Sequence, residues 1–490
     1  MKVFVFFIGG TGARVMRSLT MLLASGASVP NDTTIIPILL DMDLQNGDVH
    51  RAVDSLELYE RIHRMAYGSL SKESSSFFGG NFQLISSLQA NNTQNNMVGS
   101  VLSEITSHSG TFESYLQVDA MDEMDREFLK LLYDNSAKPQ QAELKLNLSV
   151  GFKGNPNIGS VVFSAFEDSA IYQYFSAAFN SINDRIFIVS SIFGGTGSSG
   201  YPQLVKLLQK PAQRNEIRAA KKGAVTVMPY FSLGKNTQSA IDQKRFIPKT
   251  KAALSYYQNQ LDLDATYFIG DQAGSKLYPN VEGGGNQLNN AHIVEMLAAE
   301  AVLDFARKTE FPSNKKFLEF GLQKGEKTLD FRHFHDNTFQ AIMLPLLRFS
   351  YAMKLVLDHI GKPEVYAKQA FAVKELRLQD EWNSSSFYSS LKVFAEFYKK
   401  WIRELQENDR SFHPFELDNA FNEMVNAKKV KTNKLIFNYG IDDSFLNTKL
   451  GHAEEALRAQ FPNKEQRFMQ ILYQVANDCV KELGDIPRNI

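Results

Sequence analysis

The hydrophobic pattern of the first 45 residues alternates between strand-like and helix-like segments. Residues 3–8 form an apolar run that leads into a glycine turn, and residues 34–40 form a second apolar run. Between them, apolar side chains recur at helical spacing from Val15 onward, which predicts an amphipathic helix. Near-continuous apolar runs are typical of strands buried in a parallel sheet. The pattern therefore predicts a β-α-β unit.

The same pattern returns further along the chain, so we expect an α/β fold. Strand-like apolar runs lie at 185–192, 224–228 and 265–269, with helical stretches between them. A long central helix is predicted from Asn289 to Arg307, where apolar residues again recur at helical spacing. A doubly wound parallel sheet is the simplest architecture for this order of elements.

Two departures from this pattern divide the chain. Residues from about 66 to 145 are rich in Ser, Asn and Gln, and we interpret them as an insertion after the second strand, although 121–133 is predicted to be helical. Aromatic amphipathic segments dominate from residue 311 to 490, including a long helix predicted within 325–360. We therefore expect an α/β domain over 1–310 and a mostly helical C-terminal region over 311–490.

Composition narrows the classes of function. Of 490 residues, 43% are hydrophobic and 22% charged, which is ordinary for a globular protein of two or three packed units. The net charge of −1 gives no basic field, so we expect no nucleic-acid partner. The apolar runs are too short to span a bilayer and the first one does not resemble a signal peptide. The single cysteine, Cys479, fits a reducing cytoplasm.

Three glycine-rich segments beside predicted strands or helices suit phosphate binding. Glycines let the backbone approach a ligand closely, and a helix N-terminus adds partial positive charge. The strongest follows the apolar run 187–193. The residues that we predict to contact phosphate are Gly9, Gly10, Thr11, Gly12, Ala13, Gly154, Asn155, Pro156, Gly194, Gly195, Thr196, Gly197 and Ser198. The alternative is that each segment is only a tight strand-to-helix turn.

Two common nucleotide motifs do not occur in this sequence. A dinucleotide fingerprint counted from Gly10 would need a third glycine where Val15 stands. No Gly-Lys pair is followed by Ser or Thr, as a Walker loop would require. An NAD-dependent enzyme, which the doubly wound pattern alone would allow, is therefore disfavoured.

The order and spacing of these segments resemble the nucleotide-binding loops of the tubulin/FtsZ superfamily. Residues 194–200 are similar to the tubulin signature, with Phe193 in place of its first glycine. Residues 151–159 are similar to the third loop of FtsZ, with Asn155 and Pro156 at matching positions. The resemblance covers residues 1–350 apart from the insertion, and it implies GTP or GDP with Mg²⁺ as the ligands.

The resemblance also assigns roles to polar residues outside the glycine segments. Asp41 and Asp43 lie in a stretch that resembles the second loop of the family. The asparagines at the start of the long helix would meet the guanine base, as would Asp271, which stands where FtsZ has an asparagine and leaves the base preference open. The asparagines concerned are Asn286, Asn289 and Asn290. The alternative for Asn289 or Asn290 is to cap the helix.

Family members complete their active site between subunits, with an acidic residue on a loop after the long helix. Residues 328–334 match that loop best, with Asp330 at the first acidic position and His333 at the second. The match implies that Asp330 polarises water on a neighbour's GTP, roughly 30 Å from its own phosphates along a 20-residue helix. The alternative for Asp330 is an N-cap. His333, His335 and Asp336 are too close in sequence for a good ligand set, so we predict no metal site there.

Two functions fit these expectations. The first is GTP-dependent assembly of the chain with itself into a head-to-tail filament, with hydrolysis completed by the neighbouring subunit. The second is a GTP-binding module without filaments, and with weak or no hydrolysis because a histidine replaces the second acid. Such a module would bind a protein partner through the insertion or the C-terminal region. Residues 482–490 do not resemble the tail of a division protein, so a phage, plasmid or defence-associated system is preferred to cell division.

Overall fold

The computed structural model describes most of the chain, with gaps. The described ranges are 1–43, 45–69, 71–73, 75–83, 110–133, 143–233, 246–272, 277–278, 284–312, 317–321, 327–334, 336–360, 385–426 and 440–484. His335, residues 485–490 and much of the predicted insertion lie outside these ranges, so the predictions for them stay predictions.

Seven parallel strands form the main sheet, in the order β3-β2-β1-β4-β5-β7-β9. They are β1 (Lys2–Ile8), β2 (Thr34–Leu40), β3 (Asn81–Phe82), β4 (Arg185–Ser191), β5 (Lys221–Val227), β7 (Ala265–Gly270) and β9 (Phe317–Gly321). Two small parallel pairs join β6 (Ser232–Leu233) to β8 (Leu277–Tyr278) and β10 (Thr328–Leu329) to β11 (Ser411–Phe412). The predicted α/β class and parallel sheet are confirmed, and the strand order reverses between β1 and β4.

Helices make up most of the remaining described chain. They are α1 (Gly9–Ala24), α2 (Gly47–Tyr67), α3 (Glu123–Tyr133), α4 (Pro156–Phe163), α5 (Ala170–Ala178), α6 (Gly195–Gln209), α7 (Asn215–Ala219), α8 (Phe246–Gln260), α9 (Ile293–Arg307), α10 (Leu344–Lys354), α11 (Ser386–Gln406), α12 (Asp443–Leu457) and α13 (Lys464–Glu482). The α10 helix is flanked by π-helical segments at Phe339–Met343 and Leu355–Ile360. The helices predicted at 121–133 and within 325–360 therefore correspond to α3 and to the helical segments from Phe339 to Ile360.

Helices cover both faces of the sheet. Side chains of successive strand residues point to opposite faces, so each strand contacts helices on both sides. On β1, the rings of Phe4 and Phe6 contact Phe175 of α5, with centroids 5.3 and 5.0 Å apart. Phe7 of β1 points to the opposite face of the sheet, where it lies against Gly12 of α1. Helices α1, α2 and α9 therefore share one face, whereas α4, α5, α6 and α8 share the other.

The central helix α9 begins at Ile293, four residues later than predicted. Burial lowers the pKa of His292 to about 4, so its neutral ring can accept a hydrogen bond. Its Nδ1 accepts from the Val294 N–H at 3.1 Å, and Glu295 accepts from the His292 N–H at 3.0 Å. This reciprocal capping box fixes the start of the helix at His292, so neither Asn289 nor Asn290 is the cap.

The C-terminal helices pack directly onto α1 and α2. Trp401 of α11 donates to Ser18 of α1 at 3.3 Å, and Glu404 forms a buried ion pair with Arg17 at 2.5 Å. One hydrophobic core runs through both parts of the described chain. The sheet also extends past residue 310, because β9 lies beyond it.

Only one helix in the described ranges is long and apolar enough to cross a membrane. It spans Phe339–Ile360, and 72% of its most apolar window is buried inside the protein. Core helices of non-membrane proteins satisfy the same criteria of length and composition. This helix therefore gives no clear membrane span.

Candidate functional site

The glycine segments predicted from the sequence meet where the strand order reverses. A Cβ atom placed on Gly9, directly after β1, would lie 3.3 Å from Cβ of Thr196, directly after β4. A Cβ on Gly195 would lie 2.8 Å from the backbone nitrogen of Gly154. Segment 194–197 is thus in contact with both of the other segments, 9–12 and 151–154. Doubly wound sheets bind ligands at this place, the carboxyl ends of strands beside the switch point.

Glycine is required in these segments for two different reasons. At Gly12 the reason is close approach, because a Cβ would lie 2.7 Å from the carbonyl carbon of Phe7. At Gly154 the reason is conformation, since φ is +77° and a Cβ would meet nothing within 4 Å. The space next to Gly154 is therefore open for a ligand, whereas the space next to Gly12 is filled by the protein itself.

Three helices begin at this point without a capping side chain. The helices α1, α4 and α6 start after Ile8, Asn155 and Gly194, and none of these residues gives a side-chain cap within the described structure. Six other helices of the described chain start with a side-chain cap, whereas the short α7 helix, like these three, does not. The capping residues are Asn46, Ser169, His292, Ser385, Asp442 and Asn463. The N–H groups and partial positive charges of three helix ends are left to an anion.

The predicted segment that contains Asp41 and Asp43 lies next to the first glycine segment, at the end of the neighbouring strand β2. Ile8 pairs with Leu40, so Asp41 lies beside Gly9 at the neighbouring strand end. Burial raises the pKa of Asp41 to about 7, and the charge of Asp43 contributes. One Asp41 oxygen accepts from the Asp43 N–H at 3.2 Å, whereas the other has no hydrogen-bond partner among the described residues.

Asp41 and Asp43 suit a Mg²⁺ ion that is held chiefly by phosphate. No group of three His, Cys, Asp or Glu side chains that could bind a metal occurs in the described ranges. Mg²⁺ in nucleotide sites uses one or two carboxylates together with phosphate oxygens and water. The oxygen of Asp41 without a hydrogen-bond partner is of the type that such a site uses, although it is buried in the described structure. Asp43 is already tied to the Gly284 N–H at 2.6 Å and the Gln45 N–H at 3.1 Å.

A buried polar cluster beside the glycines was missed by the sequence reasoning. Arg14, in the second turn of α1, donates to Glu295 at 2.6 Å, to Asp48 at 3.1 Å and to Tyr230 at 2.9 Å. Its guanidinium is 4.0 Å from a Cβ placed on Gly10. Arginines at positions 14 and 17, in the mostly apolar helix that follows a glycine turn, are the signal that could have revealed it.

The residues predicted to meet the base are close to the glycines but bind other parts of the chain. Asn289 donates to Asp48 at 2.8 Å, and Asn290 donates to Glu407 at 3.1 Å. Both oxygens of Asp271 accept from Arg410, at 2.9 and 3.0 Å. Asn286 is exposed. Among these four, Asn286 is therefore the side chain that is open to solvent.

The chain reaches Asp330 by a route that the sequence did not indicate. After α9, strand β9 runs parallel to β7 and brings the chain back to the carboxyl edge of the sheet. Strand β10 then pairs with β11, which follows Arg410, the partner of Asp271 at the end of β7. Asp330 directly follows β10, and its predicted distance from the phosphate site stays a prediction.

Contacts within its own segment occupy the Asp330 carboxylate. It caps the turn Phe331–His333 and accepts two bonds from the guanidinium of Arg332, the shorter at 2.6 Å. Burial alone would raise the pKa of Asp330, but the hydrogen bonds from Arg332 lower it below its ordinary value. His333 Nδ1 accepts from the Asp330 N–H at 3.1 Å. The capping alternative is present, and a catalytic role stays a prediction.

Comparison with known proteins adds no family assignment. No protein-family model and no curated protein sequence matches the chain. The resemblance to the tubulin/FtsZ superfamily therefore depends on the residues of the loops themselves.

Substitution of Gly10 tests whether phosphate occupies the space beside it, because the protein leaves room for a methyl group there. A Cβ there would have its nearest neighbour, Nδ2 of Asn46, at 3.6 Å, an ordinary contact. We expect Gly10→Ala to keep its melting temperature and to bind nucleotide at least about tenfold more weakly, because the methyl group would occupy phosphate space. Calorimetric titration measures the affinity. Gly451→Ala, in open space on α12, is the matched control, and equal affinity for both variants would refute the assignment.

Asp41 should make stability depend on pH. Its folded pKa of about 7 lies above the ordinary value of 3.8 for an aspartate, so the folded state binds this proton more tightly than the unfolded chain does. The resulting stabilisation is full below pH 4 and is lost as the pH rises through 7. Asp41→Asn should therefore be more stable than wild type at pH 8 in the absence of nucleotide, and this advantage should shrink toward pH 4. Urea unfolding across this range measures it, and a constant difference would contradict it.

Proposed function

We propose that this chain binds a nucleoside triphosphate, with GTP as the expected ligand. The observation that carries the proposal is the meeting of three uncapped helix starts at segments 9–12, 151–154 and 194–197. Backbone N–H groups and helix dipoles that converge on one point suit an anion with several oxygens. The position beside the switch point suits a nucleotide in particular.

Guanine is proposed on the strength of the loop resemblance. The tubulin-like segment at 194–200 and the FtsZ-like segment at 151–159 occur in the family order. Amides are well suited to a purine edge because they offer both donors and acceptors. Asn286 is the exposed amide of the predicted set, whereas Asn289 and Asn290 would have to leave Asp48 and Glu407 to contact a base.

The binding part of the proposal has more support than the catalytic part. The Asp330 carboxylate that would polarise water is engaged by Arg332. We therefore propose weak or no hydrolysis by the isolated subunit. Assembly into filaments is a second candidate function, favoured by apolar side chains that the described chain leaves exposed, Phe128 and Leu131 at 59 and 82% among them.

The nucleotide preference tests the proposal directly. We expect GTP with Mg²⁺ to bind at least about tenfold more tightly than ATP, a difference of about 1.4 kcal/mol. Calorimetric titration with GTP, ATP and NAD, together with identification of the nucleotide that co-purifies, measures this. Equal affinity for GTP and ATP would refute guanine recognition and leave the phosphate site. No binding of any of the three would refute the whole proposal.

Substitution of Asp330 distinguishes a capping role, which affects stability, from a catalytic role, which affects turnover. If Asp330 is a cap, Asp330→Ala should lower the free energy of unfolding by about 1 kcal/mol and leave GTP turnover unchanged. If it acts on a neighbour's nucleotide, turnover per molecule should rise with protein concentration in wild type and fall about 10²–10⁴-fold in the variant. We expect the first result. Arg332→Ala is the control, because it frees the carboxylate without removing it.

A further inference from the structure

A short segment at the end of α11 binds residues that were predicted to face the base. We call residues 404–410 the cover segment. Its Arg410 donates to both oxygens of Asp271, at 2.9 and 3.0 Å, and its Glu407 accepts from the Asn290 amide at 3.1 Å. Two of the predicted base-facing side chains are therefore held directly by one stretch of the C-terminal region.

The cover segment also binds the backbone that leads from Asn290 into α9. The Glu404 carboxylate accepts from the Ala291 N–H at 3.1 Å, and the Asn408 amide donates to the Ala291 carbonyl at 2.5 Å. Asn408 in turn accepts from the Tyr278 hydroxyl at 2.5 Å. Glu404 and Asn408 are buried, so these hydrogen bonds are shielded from water and costly to leave unmade.

A third predicted base-facing residue is held through two intermediate side chains. The Asn289 amide donates to Asp48 at 2.8 Å, and the Asn289 carbonyl accepts from Arg51 at 2.6 Å. Arg51 also pairs with Glu404 at 2.9 Å. Asn289 is thus fixed by a largely buried ion network that ends on the cover segment.

The base side of the proposed site is closed in this conformation. The cavity that Asn289, Asn290 and Asn408 help to line has a volume of about 20 Å³. This is room for one water molecule and far too little for a purine. Arg14 lines the same cavity and lies next to Gly10 of the first glycine segment. The closed cavity therefore adjoins the proposed phosphate site.

We propose that the cover segment is an autoinhibitory contact, which a guanine base must displace from Asp271 and Asn290 before it can bind there. This inference rests on the nucleotide proposal above and gives the C-terminal region a regulatory role at that site. The hydrogen bonds of the cover segment described above involve none of the glycine segments. Phosphates can therefore bind while the cover segment is in place, whereas the base cannot.

A closed cover segment lowers the apparent affinity for GTP. A ligand that binds only one of two conformations has its apparent affinity reduced by the fraction of molecules in that conformation. A change that weakens the closed conformation without touching the glycine segments should therefore tighten GTP binding. By reciprocity, bound GTP should loosen the cover segment by the same factor.

Glu407 is suited to a substitution test because its side chain is exposed. Glu407→Ala removes the acceptor of Asn290 and should tighten GTP binding about three- to tenfold in calorimetric titration, the range that one hydrogen bond contributes. The ATP affinity should change less than about twofold, because ATP depends on the phosphate site, which both conformations share. Loss of a negative charge would favour both nucleotides alike, so the ratio of the GTP and ATP affinities is the readout.

Asp418→Ala is the matched control on the same helix. Asp418 is exposed and pairs with Lys399 and Arg403 of α11, at 2.5 and 2.8 Å. Its loss also removes a negative charge but leaves the cover segment unchanged, so the affinity ratio should stay at the wild-type value. An unchanged or lower ratio in Glu407→Ala would overturn the autoinhibitory role and leave the nucleotide site. No GTP binding by wild type and by Glu407→Ala would refute the nucleotide proposal itself.

Hydrogen exchange on the wild-type chain provides a second, independent measurement. Saturating GTP should increase deuterium uptake in residues 404–410 at least about twofold relative to the nucleotide-free chain, because the base takes the place of the cover segment. Saturating ATP should leave the uptake unchanged. Stronger protection of this segment by GTP, or an equal response to both nucleotides, would overturn the proposal.

Discussion

The organisation of the site depends on how closely three backbones approach one another beside β1 and β4. A methyl group on Gly9 would lie 3.4 Å from the backbone nitrogen of Gly197, and one on Gly195 would lie 2.8 Å from the backbone nitrogen of Gly154. Because little room is left for side chains at these positions, the starts of α1, α4 and α6 come close together. The proposed anion site is a consequence of helix packing that glycine permits.

The buried ion cluster explains how the C-terminal helices are held to this site. Arg14 bonds Asp48 and Glu295, and Arg51 links Asp48 to Glu404 of α11, which also binds Arg17. Three arginines and three carboxylates leave the cluster formally neutral. Removal of one member would leave an uncompensated buried charge, which costs about 3–5 kcal/mol. The cluster therefore fixes the geometry of α1, α2, α9 and α11 and adds little net attraction for an anion.

The sequence predicted what depends on local pattern and missed what depends on long-range contacts. The strands, the parallel sheet and the meeting of glycine segments follow from apolar periodicity and from glycine placement. Strand β9 was missed because Phe317–Gly321 is short and has no glycine turn before it. The capping box at His292 and the hydrogen bonds of Asn289 could not be foreseen, because both involve residues with distant partners. Glu295 of the capping box bonds Arg14, 281 residues away. Asn289 bonds Asp48, 241 residues away. The missed strand also changes the path by which the chain reaches Asp330.

The neutral ion cluster around Arg14 limits how a nucleotide would be held, because its members are already hydrogen-bonded to one another. Arg14 has carboxylate and phenol partners on three of its nitrogens, so turning it toward a phosphate would leave Glu295 and Asp48 buried without a counter-charge. Rearrangement of that kind costs more than a single charged hydrogen bond returns, which is about 1.5–3 kcal/mol. In the proposed nucleotide complex, backbone N–H groups and a cation bound with the phosphates would supply the attraction, and neither requires the cluster to break. A site built in this way loses little conformational entropy on binding, and its affinity depends on the glycine backbone more than on any charged side chain.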